Sequence, residues 1–174
     1  KLAKNLERLG TESAFSILAE AKKLEAKGKE MIHLGLGQPD FKSPKHVVEA
    51  AKKAIDDGHH GYVLANGILE CREAVSRKIK ALYNKDVSAE RVMIMPGGKP
   101  TMYFAISMIG EPGSEIIHPT PGFPIYESMI NYTGAKAVPY NLANNNDFKI
   151  DANKILPLIN EKTRLLILNN PHNP

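Results

Sequence analysis

The stretch MPGGKPTMY, from Met95 to Tyr103, sets two glycines directly ahead of a helix-forming run. Glycines at such a point let backbone pass close to a ligand. The first turn of a helix presents N–H groups that lack partners within the helix, a natural place for an anion such as phosphate. Pro100 has no N–H, so the donors come from Gly98, Lys99 and Thr101. A lysine in the first turn opposes the helix dipole unless an anion sits nearby. A tight strand–helix turn with nothing bound is the competing reading. The pattern is neither the GxxxxGK phosphate loop nor the dinucleotide-binding GxGxxG.

Four other stretches could take part. PTPGFPIYE places Phe123 in a rigid turn, where an aromatic ring can stack on a planar group or simply pack. NNPHNP offers amide side chains able to reach a ring hydroxyl, although Asn-Pro pairs are also common turn formers. GLGQPDF supplies glycine N–H groups suited to a carboxylate. HHGY holds His59 and His60 side by side, but no third or fourth metal ligand stands near them in sequence, so no metal site is expected.

The elements that must position these loops follow from periodicity and breakers. Phe15, Leu18, Ala21 and Leu24 predict a helix over 13–27, with Gly28 as its stop. MIHL, from Met31, reads as a short strand. Ser43-Pro44 reads as a capping hydroxyl and a first-turn proline, opening a helix with Val47, Ala51, Ala54 and Ile55 inward. Ile68, Cys71, Val75, Ile79 and Leu82 predict a helix to Tyr83 with Cys71 in the core. Strands and helices then alternate: RVMIM, a helix over 99–109, EIIH, a helix over 124–132, AKAVPY, the polar loop ANNND, a helix over 151–159 distorted by Pro157, and RLLILN. This alternation predicts an α/β fold with a mainly parallel sheet covered on both faces. Ligands in such folds bind beyond the carboxyl ends of the strands, where PGGK, PTPGF and NNPHNP emerge.

Composition sets wider bounds. The chain has 174 residues, is 43% hydrophobic and 24% charged, and so has globular rather than disordered character. Its net charge of +4 is scattered among acidic residues, which argues against a nucleic-acid surface. No apolar run has membrane-spanning length, no secretion signal is evident at the N-terminus, and a single cysteine fits a reducing cytoplasm.

Taken in order, GLGQPDF, HGYVLANGILECREAV, MPGGKPTMY, PTPGFPIYESM and NNPHNP resemble the signatures of class I/II aminotransferases. These are pyridoxal-phosphate enzymes of the aspartate aminotransferase fold (fold type I). The resemblance runs from about residue 13 to the end. It implies residues 1–43 as N-terminal arm and small-domain segment, and 44–174 as an incomplete cofactor-binding large domain. It implies that Gly98 and Lys99 bind the phosphate of pyridoxal 5′-phosphate through backbone N–H groups. Phe123 would stack on the pyridine ring, and Asn173 would bond its 3′-oxygen. Gly37 would give its N–H to the substrate α-carboxylate. Tyr62 would reach the cofactor phosphate of a partner subunit, making a homodimer the working unit. The implied reaction moves an amino group between an amino acid and a 2-oxo acid.

Two departures accompany the resemblance. Some relatives carry a hydroxyl residue where Lys99 stands, and many carry asparagine where His172 stands, a change expected to be without consequence. Relatives continue NP as NPTG and later supply the Asp that pairs with the pyridine nitrogen, the Schiff-base Lys and the substrate-clamping Arg. None of these has a counterpart among the matched motifs, so no catalytic residue is assigned. The 174-residue chain alone is expected to be inactive. It is also expected to complete its sheet with further residues or by association. Carbon–sulfur lyases and ring-forming synthases share this fold and are alternatives for the reaction, and a non-catalytic phosphate-binding α/β module is another. A regulator with an upstream DNA-binding domain is not expected, because the resemblance begins by about residue 13 and such a domain would need residues beyond these 174. A nucleotide-binding domain would want an acidic residue at the end of the second strand, where EIIH has histidine.

Overall fold

The computed structural model describes residues 1–10, 13–143 and 148–174, the side chain of Ser13 excepted. Most of the expected ANNND loop lies outside the described residues. The chain divides into two compact units, Lys1–Gly35 with Gly97–Pro174, and Leu36–Pro96.

The first unit is built on a parallel sheet. Strand β1 (Glu115–Thr120) lies between β2 (Lys136–Asn141) and β3 (Thr163–Leu166), giving the order β2-β1-β3. Ile116 pairs with Ala137 on one side and Leu165 on the other, and Ile117 pairs with Val138 and Leu166. Successive side chains of a strand point to opposite faces, and β1 uses both. Ile116 joins Ile106, Met129, Ile130 and Ala135 in one cluster, while Ile117 joins Tyr140, Leu142 and Ile155 in a second. Helices α4 (Gly98–Ile109) and α5 (Ile125–Thr133) thus supply one face, and α6 (Ala152–Ile155) the other. The unbroken apolar run at the centre of β1 is what a strand buried on both sides requires.

Local chemistry sets the ends of these elements. Asp151 caps α6 by accepting from the Asn153 N–H at 2.9 Å. The helix expected over 151–159 is α6 followed by a 3-10 turn, Leu156–Leu158, with Pro157 in its first turn, where proline removes the N–H that α geometry would use. Helix α1 (Ser13–Glu25) buries Ala21 and half-buries Leu18 and Leu24. Ahead of it the 3-10 segment Lys4–Arg8 sends Arg8 to the Tyr132 carbonyl at 2.9 Å. Ser128 both accepts from Gly10 N–H, at 2.9 Å, and donates to Gly10 O, at 3.2 Å.

The second unit holds α2 (Lys45–Asp56), α3 (Leu69–Tyr83) and the 3-10 turn Ala89–Arg91. Its inner faces match those that periodicity marks only in part, at Ala54, Val75 and Ile79. Cys71, expected in the core, is exposed, as are Ile68 and Leu82. The buried position of α3 is the next one, Arg72. Its guanidinium donates to the carbonyls of Gly67 at 3.1 Å and Ala89 at 3.0 Å, turning the inward face to Arg72, Val75, Ser76 and Ile79. Along α2, Val47, Ala51 and Ile55 are exposed and only Ala54 is half-buried. Ser43 does not cap this helix. Pro44 holds extended backbone, ψ 138°, as the N-cap, so helical geometry begins one residue later than the Ser-Pro signal suggests.

Two expected strands are extended segments without ladders. Among the described residues neither Met31–Leu34 nor Val92–Met95 pairs with a strand. Ile94 N–H bonds to Asn66 O at 3.0 Å, a loop contact rather than a ladder. Strand propensity supplies an extended backbone, but a strand also needs a neighbour with free N–H and C=O groups.

Candidate functional site

The sequence PGGK folds as a sharp entry into α4. Gly97 is the N-cap, at φ 92° and ψ 170°, a conformation reserved for glycine. It has no side chain with which to cap the helix, and a Cβ built on it would meet nothing within 4 Å. The 12-residue helix thus starts without a side-chain cap, and Lys99 stands in its first turn.

The turn after β1 brings an aromatic ring to this helix start. Thr120-Pro121 is cis. A Cβ at Gly122 would collide with the Pro119 carbonyl, so closely does the chain fold back there. Phe123 stands edge-on to Tyr126, centroids 6.1 Å apart at 86°. Tyr126 is buried, and burial raises its phenol above the usual range, so it is neutral at physiological pH. Lys99 Nζ lies 5.7 Å from the Phe123 centroid and 5.5 Å from that of Phe15 on α1.

The loop after β3 joins the same group. Because β1 and β3 are parallel neighbours, the turns that succeed them leave one edge of the sheet. His172 Nε2 meets the Pro121 carbonyl at 2.8 Å, linking NNPHNP to PTPGF. Asn173, next in sequence, is exposed. Gly98, Lys99, Phe123 and Asn173 thus belong to one unit. Lys99 and Phe123 are brought together directly, and Asn173 adjoins the residue that ties its loop to theirs. Gly37 and Tyr62 belong to the other unit, Tyr62 fully exposed and Gly37 with open space where a Cβ would stand. Among the described residues no three His, Cys, Asp or Glu side chains cluster as a metal site, and no helix is long and apolar enough to cross a membrane.

Two residues of this arrangement carried other readings in the sequence. Phe15 reads as part of the inner stripe of α1, yet it is 54% exposed and lies against Lys99. His172 reads as a neutral replacement, and its bond spans 51 residues, beyond the reach of any local signal.

The donor set fits a phosphorylated planar ring: N–H groups at a helix start behind a glycine N-cap and an ammonium for the phosphate, an aromatic face for the ring, and an amide for a ring oxygen. The family model "Aminotransferase class I and II" matches residues 29–174. The aspartate aminotransferase of Bacillus subtilis (strain 168) is 32% identical over 174 residues, covering 100% of this chain and 44% of that protein. A probable aspartate aminotransferase of Methanocaldococcus jannaschii is 39% identical over 145 residues, covering 83% and 38%. Among solved structures, alanine aminotransferase from Pyrococcus furiosus superposes with a TM-score of 0.92 at 28% identity, covering 100% of this chain and 45% of that one. Aspartate aminotransferase from Thermus thermophilus with maleate gives 0.92 at 29% identity, covering 100% and 46%. The chain spans less than half the length of these relatives, matching their N-terminal part. On its motifs, its α/β topology and these matches, the chain belongs to the class I and II aminotransferase family.

Proposed function

We propose that this chain supplies the phosphate- and ring-binding part of a pyridoxal 5′-phosphate site in an aminotransferase that exchanges an amino group between an amino acid and a 2-oxo acid. The observation that carries the reading is Lys99, on the first turn of α4 behind the Gly97 N-cap, with its ammonium 5.7 Å from the Phe123 ring. The N–H groups of Gly98 and Lys99 hold the phosphate, and the Lys99 ammonium adds charge beside it. Phe123 covers a face of the ring and Asn173 donates to its 3′-oxygen. Gly37 gives its N–H to the substrate carboxylate, and Tyr62 reaches the phosphate of a partner subunit in a homodimer. Residues 1–43 act as arm and small-domain segment, and 44–174 as part of the large domain. When bound, the cofactor supplies an electron sink for bonds at the substrate α-carbon. The unpaired Cys71 supports a reducing, cytoplasmic setting.

The test uses pyridoxamine 5′-phosphate, which lacks the aldehyde that would condense with surface lysines, against pyridoxamine. Calorimetric titration of the 174-residue chain should show the phosphorylated form binding more tightly. Lys99→Gln should weaken that form alone, by several-fold, because one charge-assisted contact is worth roughly 1.5–3 kcal/mol before solvent screening reduces it. Phe123→Leu should weaken both. Equal affinity for the two compounds in every variant would remove phosphate recognition at α4 from the reading.

A further inference from the structure

The loop after β3 leaves the ladder at Ile167, whose N–H bonds to Ile117 O at 2.9 Å. Among the described residues, the hydrogen bond that joins this loop to the PTPGF turn is His172 Nε2 to Pro121 O, at 2.8 Å. It lies two residues before Phe123 on one loop and one residue before Asn173 on the other. Both flanks are stiff, since Pro121 and Pro171 are prolines with φ fixed by the ring.

A carbonyl oxygen only accepts, so Nε2 must carry the proton. The other ring nitrogen, Nδ1, is buried and has no hydrogen-bond partner among the described residues. An imidazole with one nitrogen engaged and the other sealed from water keeps its ring plane fixed, because any rotation breaks the single bond it makes.

We infer that His172 is a positioning residue: through Pro121 it sets the spacing between the Phe123 ring and the Asn173 amide, the two groups proposed above to hold the cofactor ring. The inference deepens that reading and rests on it for what the spacing serves. The bond between loops stands independently of any ligand.

Three measurements test it on the 174-residue chain. Nitrogen-15 NMR of the wild-type histidines should show His172 protonated at Nε2, with through-bond coupling to the Pro121 carbonyl. His172→Gln places an amide N–H at similar reach and should keep the Phe123 ring and Asn173 side-chain resonances near their wild-type positions. His172→Leu keeps bulk, loses the donor, and should shift both. Affinity for pyridoxamine 5′-phosphate should fall roughly three- to tenfold in His172→Leu, the range that one neutral hydrogen bond supports, and stay within about twofold in His172→Gln. A wild-type His172 bare at Nε2 overturns the inference without any variant, as does a folded His172→Leu chain whose Phe123 and Asn173 signals match wild type. If the wild-type chain binds no pyridoxamine 5′-phosphate, the cofactor reading fails. The NMR measurements alone then decide whether His172 couples the loops.

Discussion

Gly97 bears the sharpest local demand in the site. Its φ of 92° with ψ of 170° places it in a region that side chains with a Cβ occupy at a cost of about 1–3 kcal/mol. Nothing within 4 Å would clash with that Cβ, so the penalty is backbone strain alone. Gly97→Ala should therefore lower unfolding free energy by about that amount in urea titrations. It should also weaken pyridoxamine 5′-phosphate, because relief of the strain swings the first N–H groups of α4. The neighbouring Gly98 has ordinary backbone and only Met102 Cε near its Cβ position, at 3.9 Å, so Gly98→Ala should be milder in stability. Equal losses in the two variants would contradict the backbone account. At this scale sequence was a good guide, because a Gly-Gly turn ahead of a helix states its own conformational need. The links from Lys99 to Phe15 and from His172 to Pro121 were not legible, since each joins residues far apart in the chain.

Among the elements, β1 concentrates the unit's stability and its sensitivity to acid. Ile130 of α5 is fully buried in the cluster under Ile116, so Ile130→Ala should cost about 2–5 kcal/mol by transfer and cavity terms. Strand β1 also holds two ionisable groups, Glu115 at its start and His118 within it. Glu115 accepts from Asn160 Nδ2 at 2.8 Å and from Lys136 Nζ at 2.9 Å, and these bonds hold its carboxyl below its ordinary value of 4.5. His118 is buried beside the Pro119 carbonyl, and desolvation lowers it from 6.5. Both folded-state values are depressed, so the unfolded chain binds more protons on acidification. Stability should be complete above about pH 6.5, fall as His118 is forced to charge, and fall again below 4.5 as Glu115 is protonated. Thermal melts across pH should show both declines. Glu115→Gln should abolish the lower one, and a lower decline unchanged in that variant would acquit Glu115. The alternation of apolar strands and helices foretold this sheet correctly for EIIH, AKAVPY and RLLILN. It failed at MIHL and RVMIM because pairing depends on a neighbour that residues within the segment do not specify.

At the level of the whole molecule the two units differ in what they bury. The first owns both apolar clusters, with Ile116, Ile117 and Ile130 fully buried. In the second, Val92 is the one hydrophobic residue buried among those described, while Ile55 is 73% exposed, Leu82 58% and Ile68 49%. Helical periodicity placed Ile68, Leu82 and Ile55 on inner faces that need cover, and the structure leaves all three exposed. It cannot say whether the chain itself provides that cover, and this is why Cys71 was misplaced. Burial of apolar surface is the main term that offsets chain entropy, so stability must be uneven. Amides of β1 should exchange with solvent at a rate set by global unfolding, and those of α2 and α3 orders of magnitude faster. Hydrogen exchange by mass spectrometry on the 174-residue chain distinguishes the cases. Slow exchange in α2 and α3 that appears only at high protein concentration would mean that a second copy covers these faces. Slow exchange that is independent of concentration would refute the uneven picture, because Arg72 and its two carbonyl bonds would then have to hold the second unit without a core.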